Sequence, residues 1–198
     1  MRPFSAVLLA AGLGTRMGRD KAILLAPDGR PLWERQRDLL VASGAAEIIF
    51  SVRPAQTWVP RDPSLLLVHD REPGLGPLAG LVAALERAMC AHLAVLAIDL
   101  PRIESAWFTA LLADCASGIG VVGCRADAGS GKNFFEPLAA IYPREILPLA
   151  RAALAEKKLS VHQLLATAVA QGLLRVRKIS AAETPQFENW NEPPAPRG

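Results

Sequence analysis

The chain of 198 residues has little of what marks membrane proteins, disulfide scaffolds and nucleic-acid-binding proteins. No apolar run approaches the roughly 18 residues that a membrane-spanning helix needs. There are only three cysteines, without CxxC spacing, so neither a disulfide framework nor a thiolate metal site is expected. Lysine and arginine form no block, and aromatic residues make up only 6% of the chain. Nucleic-acid binding is therefore not expected either.

The start of the chain also lacks the pattern of a secretory signal. Met1–Phe4 leads directly into a strand-like apolar run, and no small-residue cleavage site follows. Together with the unpaired set of cysteines, this predicts a cytoplasmic protein. The net charge of +3 is a mild excess that suits a small polyanionic ligand.

The chain does contain ample material for a core, since 51% of its residues are hydrophobic and 21% are charged. Several apolar runs are nearly continuous, as in strands that are buried on both faces. They predict strands at Phe4–Ala10, Glu47–Val52, Leu65–Val68, Leu93–Ile98, Ile119–Gly123 and Leu138–Ile141, with a weaker one at Leu173–Val176.

Helices are predicted between these strands. Pro31 suits the first turn of one helix and Gly44 its far end, and Ser105 is the expected N-cap of another. Apolar residues at helical spacing give four core-facing stripes. These are Leu78, Leu81, Val82, Leu85 and Met89; Phe108, Leu111, Leu112 and Cys115; Ile146, Leu149, Ala150, Ala153 and Leu154; and Val161, Leu164, Leu165 and Ala168.

The alternation of strands and helices predicts one α/β domain over residues 1–198, with three α/β/α layers and a mostly parallel sheet. Its tail, 192–198, is expected to be irregular because it is rich in proline. Ligands in such folds bind outside the carboxyl ends of the strands, so residues that follow strands are the candidates for function.

A glycine-rich loop, Ala11–Lys21, follows the first predicted strand. Its glycines let the backbone approach a ligand closely, and free N–H groups there can cradle phosphate. Arg16 and Lys21 add charge that can neutralise a triphosphate and then its pyrophosphate leaving group. No Gly-Lys-Ser/Thr sequence occurs, and Met17 stands where a dinucleotide loop needs its third glycine. The alternative is a plain glycine-rich turn with solvated charges.

Two aspartates end predicted strands. Asp99 closes the run Leu93–Ile98, and a carboxylate there suits a hard divalent cation such as Mg²⁺. Asp70 ends the run from Leu65 in the same way. The alternative for each is an ordinary strand-end or turn residue.

Two further segments are candidates for ligand contact. Gly76–Gly80 opens a predicted helix, and its small residues let backbone groups face a base or ribose, although a plain helix start is the alternative. Asn189 and Asn191 flank Trp190, and an Asn can bind Mg²⁺ through its oxygen or hydrogen-bond a phosphate. A turn-forming pair of asparagines is the alternative there.

Five blocks, in order along the chain, resemble the GT-A-like nucleotidyltransferases and, among them, the molybdenum cofactor guanylyltransferases. The resemblance runs from residue 5 to about 193. The blocks are Leu9–Gly12 with Thr15–Gly18 and Asp20–Lys21; Gly29–Trp33; Gly76–Leu81; Ala97–Pro101; and Phe187–Asn191.

This resemblance implies a Mg²⁺-dependent enzyme that transfers GMP from GTP to molybdopterin, releases pyrophosphate and has molybdoenzyme maturation proteins as potential partners. It implies catalytic roles for Arg16, Lys21 and Asp99, and metal binding by Asp99 and Asn191. Asn189 and Asn191 are implied to bind the acceptor. The nucleotide-binding residues implied are Leu9, Ala10, Ala11, Gly12, Gly14, Lys21, Ser51, Asp70, Pro77, Leu78, Gly80 and Asp99.

The base is less clearly specified by these blocks. Ala11 resembles the cytidylyltransferase relatives, since guanylyl enzymes more often have glycine there, whereas Gly76–Gly80 and Gly29–Trp33 resemble the guanylyl enzymes. Polar edges discriminate between bases more strongly than one methyl group does, so GTP is expected over CTP. The alternatives are a cytidylyl or sugar-phosphate transferase of the same fold, a NAD(P)-binding module and a non-catalytic nucleotide-binding protein.

Overall fold

The computed structural model of the protein describes residues 3–12, 20–26, 28–59, 65–69, 75–126 and 133–190. The strands in these ranges are β1 (Ser5–Leu9), β2 (Glu47–Val52), β3 (Leu66–His69), β4 (His92–Ala97), β5 (Gly120–Ala126), β6 (Asn133–Pro143) and β7 (Leu174–Lys178). The α-helices are α1 (Leu32–Ala42), α2 (Pro77–Arg87), α3 (Ser105–Asp114), α4 (Leu147–Ala155) and α5 (Val161–Ala170). Short 3-10 helices lie at Lys21–Ile23, Arg144–Ile146 and Thr184–Phe187.

The strands form one sheet with the order β3-β2-β1-β4-β6-β5-β7. All paired strands are parallel except β6, which is antiparallel to both of its neighbours. At the end of β1, Leu9 lies opposite Ser51 on β2 and Ala97 on β4. The residues that follow these three strands therefore meet at one edge of the sheet. This is the arrangement expected from the mostly parallel sheet that the sequence predicted.

The two faces of the sheet carry separate hydrophobic clusters, which explains the continuous apolar runs. Val7 and Leu8 are neighbours on β1 and both are fully buried, yet each packs into a different cluster. The cluster around Leu8 includes Trp107 of α3, and the cluster around Val7 includes Leu85 of α2. Helices thus cover both faces, and the three-layer prediction is confirmed.

Two helix ends differ from the sequence prediction. Ser105 is the first residue of α3, and its predicted place as N-cap is taken by Glu104 in an extended conformation. The Glu104 N–H donates to Gln186 Oε1 at 3.3 Å, so a long-range contact sets where this helix begins. The prediction for Gly44 is confirmed, since it has a φ of +89° just beyond α1. Pro31 is the N-cap of α1 and lies one residue before its first turn.

Met89 does not belong to the core stripe that the sequence predicted for α2. The helix ends at Arg87, and Met89 is 74% exposed. Its N–H donates to Glu47 Oε1 at 2.6 Å, which directs the chain out of the helix and towards β4.

All three thiols, Cys90, Cys115 and Cys124, are free. In the part of the chain that the structure describes, no helix combines the length and the apolarity needed to cross a bilayer.

Candidate active site at the carboxyl edge of the sheet

Lys21 and Asp99 form an ion pair where β1 and β4 end. Asp99 lies two residues beyond β4, and Lys21 begins the 3-10 helix that follows the glycine-rich loop. Lys21 Nζ lies 2.9 Å from Asp99 Oδ2, and the two side chains are 19% and 24% exposed. Two residues that the sequence selected separately for charge and position are therefore in direct contact, in a place that a ligand can reach.

Asp20 sets the position of Lys21. Its backbone is extended, and its Oδ1 accepts a hydrogen bond from the N–H of Ala22 at 3.1 Å. A side-chain cap of this kind satisfies an N–H group that a helix start leaves unpaired. The cap starts the 3-10 helix at Lys21 and so places its side chain beside Asp99.

Arg53 and Gln56, in the turn after β2, contact the same region and were missed in the sequence. Gln56 Nε2 donates to Asp20 Oδ2 at 2.6 Å and to the carbonyl of Ala10 at 2.8 Å. Gln56 Oε1 accepts from the Arg53 N–H at 2.6 Å, so the whole amide group is engaged. The available signal was position alone, because both residues follow the carboxyl end of a buried strand.

The Arg53 side chain reaches the start of the glycine-rich loop. Its Nη1 donates to the carbonyl oxygens of both Ala11 and Gly12. Its Nη2 lies 3.4 Å from Asp20 Oδ2. We call Asp20, Arg53 and Gln56 together the loop brace.

Several residues predicted to bind nucleotide also have partners within the protein. The Ala10 N–H donates to the Ser51 carbonyl at 2.9 Å, and the Leu9 carbonyl accepts from the N–H of Ile98 at 3.1 Å. The Leu78 side chain is fully buried in the hydrophobic cluster that contains Val7. Their roles in nucleotide binding stay predictions.

Ser51 and Gly80 form a close contact between β2 and α2. A Cβ on Gly80 would lie 2.6 Å from Ser51 Oγ and 3.0 Å from Leu9 Cδ2. Ser51 is only 1% exposed. Glycine at position 80 thus lets α2 approach the sheet closely, and the Ser51 hydroxyl lies beneath the helix.

Other candidates lie at the rim of the same edge. Gly76, with a φ of +67°, precedes the exposed Pro77 at the start of α2. Asn189 is exposed, and the following Trp190 donates its backbone N–H to the Asp99 carbonyl at 2.9 Å. Trp190, from the last of the five sequence blocks, is thereby attached directly to the block Ala97–Pro101. Gly14, Arg16, Asp70 and Asn191 lie outside the described residues.

The Asp99 carboxylate fits a Mg²⁺ ion that also takes phosphate oxygens and water. It is a hard oxygen donor, it is partly exposed, and it already binds a cation, the Lys21 ammonium. Within the described ranges no group of three or more His, Cys, Asp and Glu side chains could hold a metal ion. A site with one protein carboxylate and substrate phosphates is the arrangement that Mg²⁺ commonly adopts.

Another ion pair joins Arg125 on β5 to Glu136 on β6 and is separate from the pair of Lys21 and Asp99. Glu136 is 13% exposed and contacts the guanidinium of Arg125. Burial raises the pKa of the Glu136 carboxyl above its usual value, and the charges of Arg125 and then His162 partly offset that increase. The carboxyl therefore holds its proton more tightly in the folded protein.

Comparison with solved structures identifies the fold. The fold matches the crystal structure of molybdopterin-guanine dinucleotide biosynthesis protein A from Archaeoglobus fulgidus, with a TM-score of 0.73 and 20% identity over 96% of this chain and 93% of that one. It also matches 2-C-methyl-D-erythritol 4-phosphate cytidylyltransferase from Thermus thermophilus, with a TM-score of 0.70 and 18% identity over 96% and 94% of the two chains. The fold is that of the GT-A-like nucleotidyltransferases.

The sequence comparisons identify the family within this class. A family model described as the MobA-like NTP transferase domain matches residues 6–172. A protein of Opitutus terrae named "Probable molybdenum cofactor guanylyltransferase" is 40% identical over 189 residues, which cover 94% of this chain and 89% of that protein. The chain belongs to the MobA-like NTP transferase family and is a nucleotidyltransferase, as the resemblance in its sequence indicated.

Proposed function

We propose that this nucleotidyltransferase transfers GMP from GTP to the terminal phosphate of molybdopterin, in a reaction that requires Mg²⁺ and releases pyrophosphate. The observation that carries the proposal is the Lys21–Asp99 pair at the carboxyl edge of the sheet. The name of the 40% identical relative from Opitutus terrae supports the choice of guanylyl group and acceptor.

The reaction needs no covalent intermediate on the protein. An oxygen of the acceptor phosphate forms a bond to the α-phosphorus of GTP, and the bond between that phosphorus and the α–β bridging oxygen breaks. The electron pair of the broken bond leaves with pyrophosphate. A phosphate dianion is already a nucleophile, so no side chain has to remove a proton.

The chain's own residues bind the phosphates and compensate their charge. The Asp99 carboxylate would hold Mg²⁺, which supplies positive charge at the α-phosphate when it is bound. The Lys21 ammonium, held 2.9 Å from that carboxylate, can pair with the outer phosphates and with the leaving pyrophosphate. Fixed charges of this kind stabilise the transition state without having to reorganise.

The proposal is tested by a competition between nucleotides. Purified protein receives equal GTP and CTP with Mg²⁺ and molybdopterin, and the dinucleotide product is identified by mass spectrometry. We expect the guanine dinucleotide to exceed the cytosine dinucleotide by at least about tenfold, which corresponds to a free-energy difference of about 1.4 kcal/mol. A cytosine product would show that Ala11 in the first loop sets the base. No pyrophosphate release with any NTP would overturn transferase activity on this acceptor.

A sugar phosphate is the competing acceptor in this fold. The same assay with a panel of sugar 1-phosphates in place of molybdopterin separates the two acceptors. Turnover with a sugar phosphate that exceeds turnover with molybdopterin would contradict the proposed acceptor and leave the nucleotidyl transfer intact.

A further inference from the structure

The turn after β2 holds the start of the glycine-rich loop by its carbonyl oxygens. Gln56 binds the Ala10 carbonyl at 2.8 Å, and Arg53 binds the carbonyls of Ala11 and Gly12. Three successive carbonyls are thus engaged by two side chains from the same short segment. These contacts join residues that are about 40 positions apart, so they are a feature of the fold and not of local sequence.

The direction of these carbonyls fixes the direction of the neighbouring N–H groups. A trans peptide is planar, and its C=O and N–H bonds point in opposite directions. The N–H groups of Ala11 and Gly12 share peptide planes with the carbonyls of Ala10 and Ala11. Both N–H groups therefore point away from Arg53 and Gln56. Successive N–H groups on one side of a loop form a concavity that binds anions.

The start of the loop is accessible to a ligand. Ala11 is half-buried and Gly12 is exposed, and a Cβ at Gly12 would meet no heavy atom within 4 Å. A ligand can therefore approach the backbone of Gly12 closely.

We propose that Arg53 and Gln56 are positioning residues for the nucleotide: they turn the N–H groups of Ala11 and Gly12 towards the phosphates of the bound NTP. This inference rests on the proposed function, because that function supplies the phosphates. Arg53 acts through the loop backbone, since its guanidinium is engaged by two carbonyls and by Asp20.

The same contacts extend to Lys21. Asp20 Oδ2 accepts from Gln56 and lies near Arg53, while its other oxygen caps the N–H of Ala22. The loop brace thereby connects the loop amides with the cation that pairs with Asp99. Loss of Arg53 or Gln56 should disturb both sets of phosphate-binding groups at once.

The test compares nucleotide binding by the full chain with Arg53→Met, Gln56→Met and the double variant, using calorimetry with GTP, GMP and Mg²⁺. Methionine matches the length of glutamine and the aliphatic stem of arginine, and it removes the hydrogen bonds of both side chains. Each single variant is expected to weaken GTP binding about tenfold, the effect of one charged hydrogen bond. The loss for GMP should be smaller, because fewer phosphates are bound.

The double variant distinguishes positioning from direct contact. If both side chains act through one loop, their effects on GTP affinity should not multiply, since effects within one network are not additive. The double variant should then bind GTP no more than about threefold more weakly than the more strongly affected single variant. Fully multiplicative losses would show that Arg53 contacts a phosphate by itself and would overturn the proposal. Equal losses for GTP and GMP, or no loss, would overturn it as well.

Two controls complete the design. Arg151→Met removes an exposed arginine on α4 that pairs with Glu86, and it should bind GTP like the wild type. Unfolding temperatures of all variants report whether the fold is intact. If the wild type binds CTP and not GTP, the comparison is made with CTP and CMP, so that failure of the guanine assignment is seen separately. A wild type that binds no NTP would overturn both proposals.

Discussion

The backbone N–H of Trp190 donates to the carbonyl oxygen of Asp99 at 2.9 Å, which attaches the end of the described chain to the loop after β4. The contact uses the main chain of Asp99 and leaves its carboxylate to Lys21. Trp190 also packs against the hydrophobic cluster that contains Trp107. Because this hydrogen bond does not depend on the Asp99 side chain, the side chain can be changed without detaching Trp190 from the loop after β4.

Asp99→Asn is therefore expected to keep the fold and to lose Mg²⁺-dependent turnover. The loss should be about 100-fold or more, because a metal ion contributes several kcal/mol of charge stabilisation and each 1.36 kcal/mol is tenfold. Steady-state pyrophosphate release measures the effect, and thermal unfolding checks the fold. Asp114→Asn, at the end of α3, is a matched control that should retain activity. Near-normal turnover by Asp99→Asn would show that the Asp99 carboxylate does not hold the metal ion.

Lys21→Ala should weaken the binding of GTP more than that of GMP. A hydrogen bond to a charged group contributes about 1.5–3 kcal/mol, so the loss for GTP should be roughly 10- to 150-fold. Stability should change little, since a partly exposed ion pair contributes about 0–1 kcal/mol. Calorimetric dissociation constants for the two nucleotides provide the measurement. Equal losses would mean that Lys21 does not bind the outer phosphates.

Gly80→Ala should destabilise the protein, and Ser51→Ala should restore part of the loss. Overpacking costs about 1–3 kcal/mol, and the better helix propensity of alanine offsets about 1 kcal/mol, which leaves a net loss of about 1 kcal/mol. The new methyl group would lie 2.6 Å from Ser51 Oγ, an atom that Ser51→Ala removes. Urea unfolding of both single variants and the double variant gives the coupling energy. Strictly additive effects would show that the two positions do not contact each other.

The stability difference between Glu136→Gln and the wild type should depend on pH. Because the folded pKa of Glu136 is raised, the wild type is most stabilised at low pH, and this stability is lost as the pH rises from the unfolded pKa through the folded pKa. Glutamine does not titrate. The unfolding temperature of the variant should therefore rise relative to the wild type as the pH increases above the ordinary pKa of a glutamate, about 4.3.

The matched control for this pH effect is Glu156→Gln. The pKa of Glu156 is lowered by its hydrogen bond to Lys158, so the relative stability of this variant should fall slightly as the pH rises. Circular dichroism melts across the range give both trends. Parallel behaviour of the two variants would contradict the raised pKa of Glu136.

The strands that could be predicted well are those buried on both faces. The predicted bounds of β2, Glu47–Val52, coincide with the observed ones, because a continuous apolar run specifies such a strand. β6 was predicted only over Leu138–Ile141 and extends over Asn133–Pro143. Its first part pairs with β5 alone and includes the exposed Phe134, so the apolar pattern does not extend to it.

The candidate site was predictable where chemistry depends on the type of side chain. Lys21 and Asp99 were found from charge and from position after a strand, although their contact depends on β1 and β4 being neighbours in the sheet. Arg53 and Gln56 were not found, because they bind backbone carbonyls. A carbonyl is the same for every residue, so no pattern of residue types indicates which ones a distant side chain will bind.

The strand order has a consequence for synthesis on the ribosome. β1 to β4 are contiguous at one side of the sheet, and β5 to β7 form the other side. The ion pair and the loop brace belong entirely to the part that is made first. Translation at about 5–20 residues/s leaves β4 without its neighbour β6 for a few seconds. During that interval β4, which is apolar in all but its first residue, has a free edge, and such an edge can pair with other nascent chains. Protection of that edge by a chaperone is thus most valuable between the emergence of Ala97 and that of Pro143.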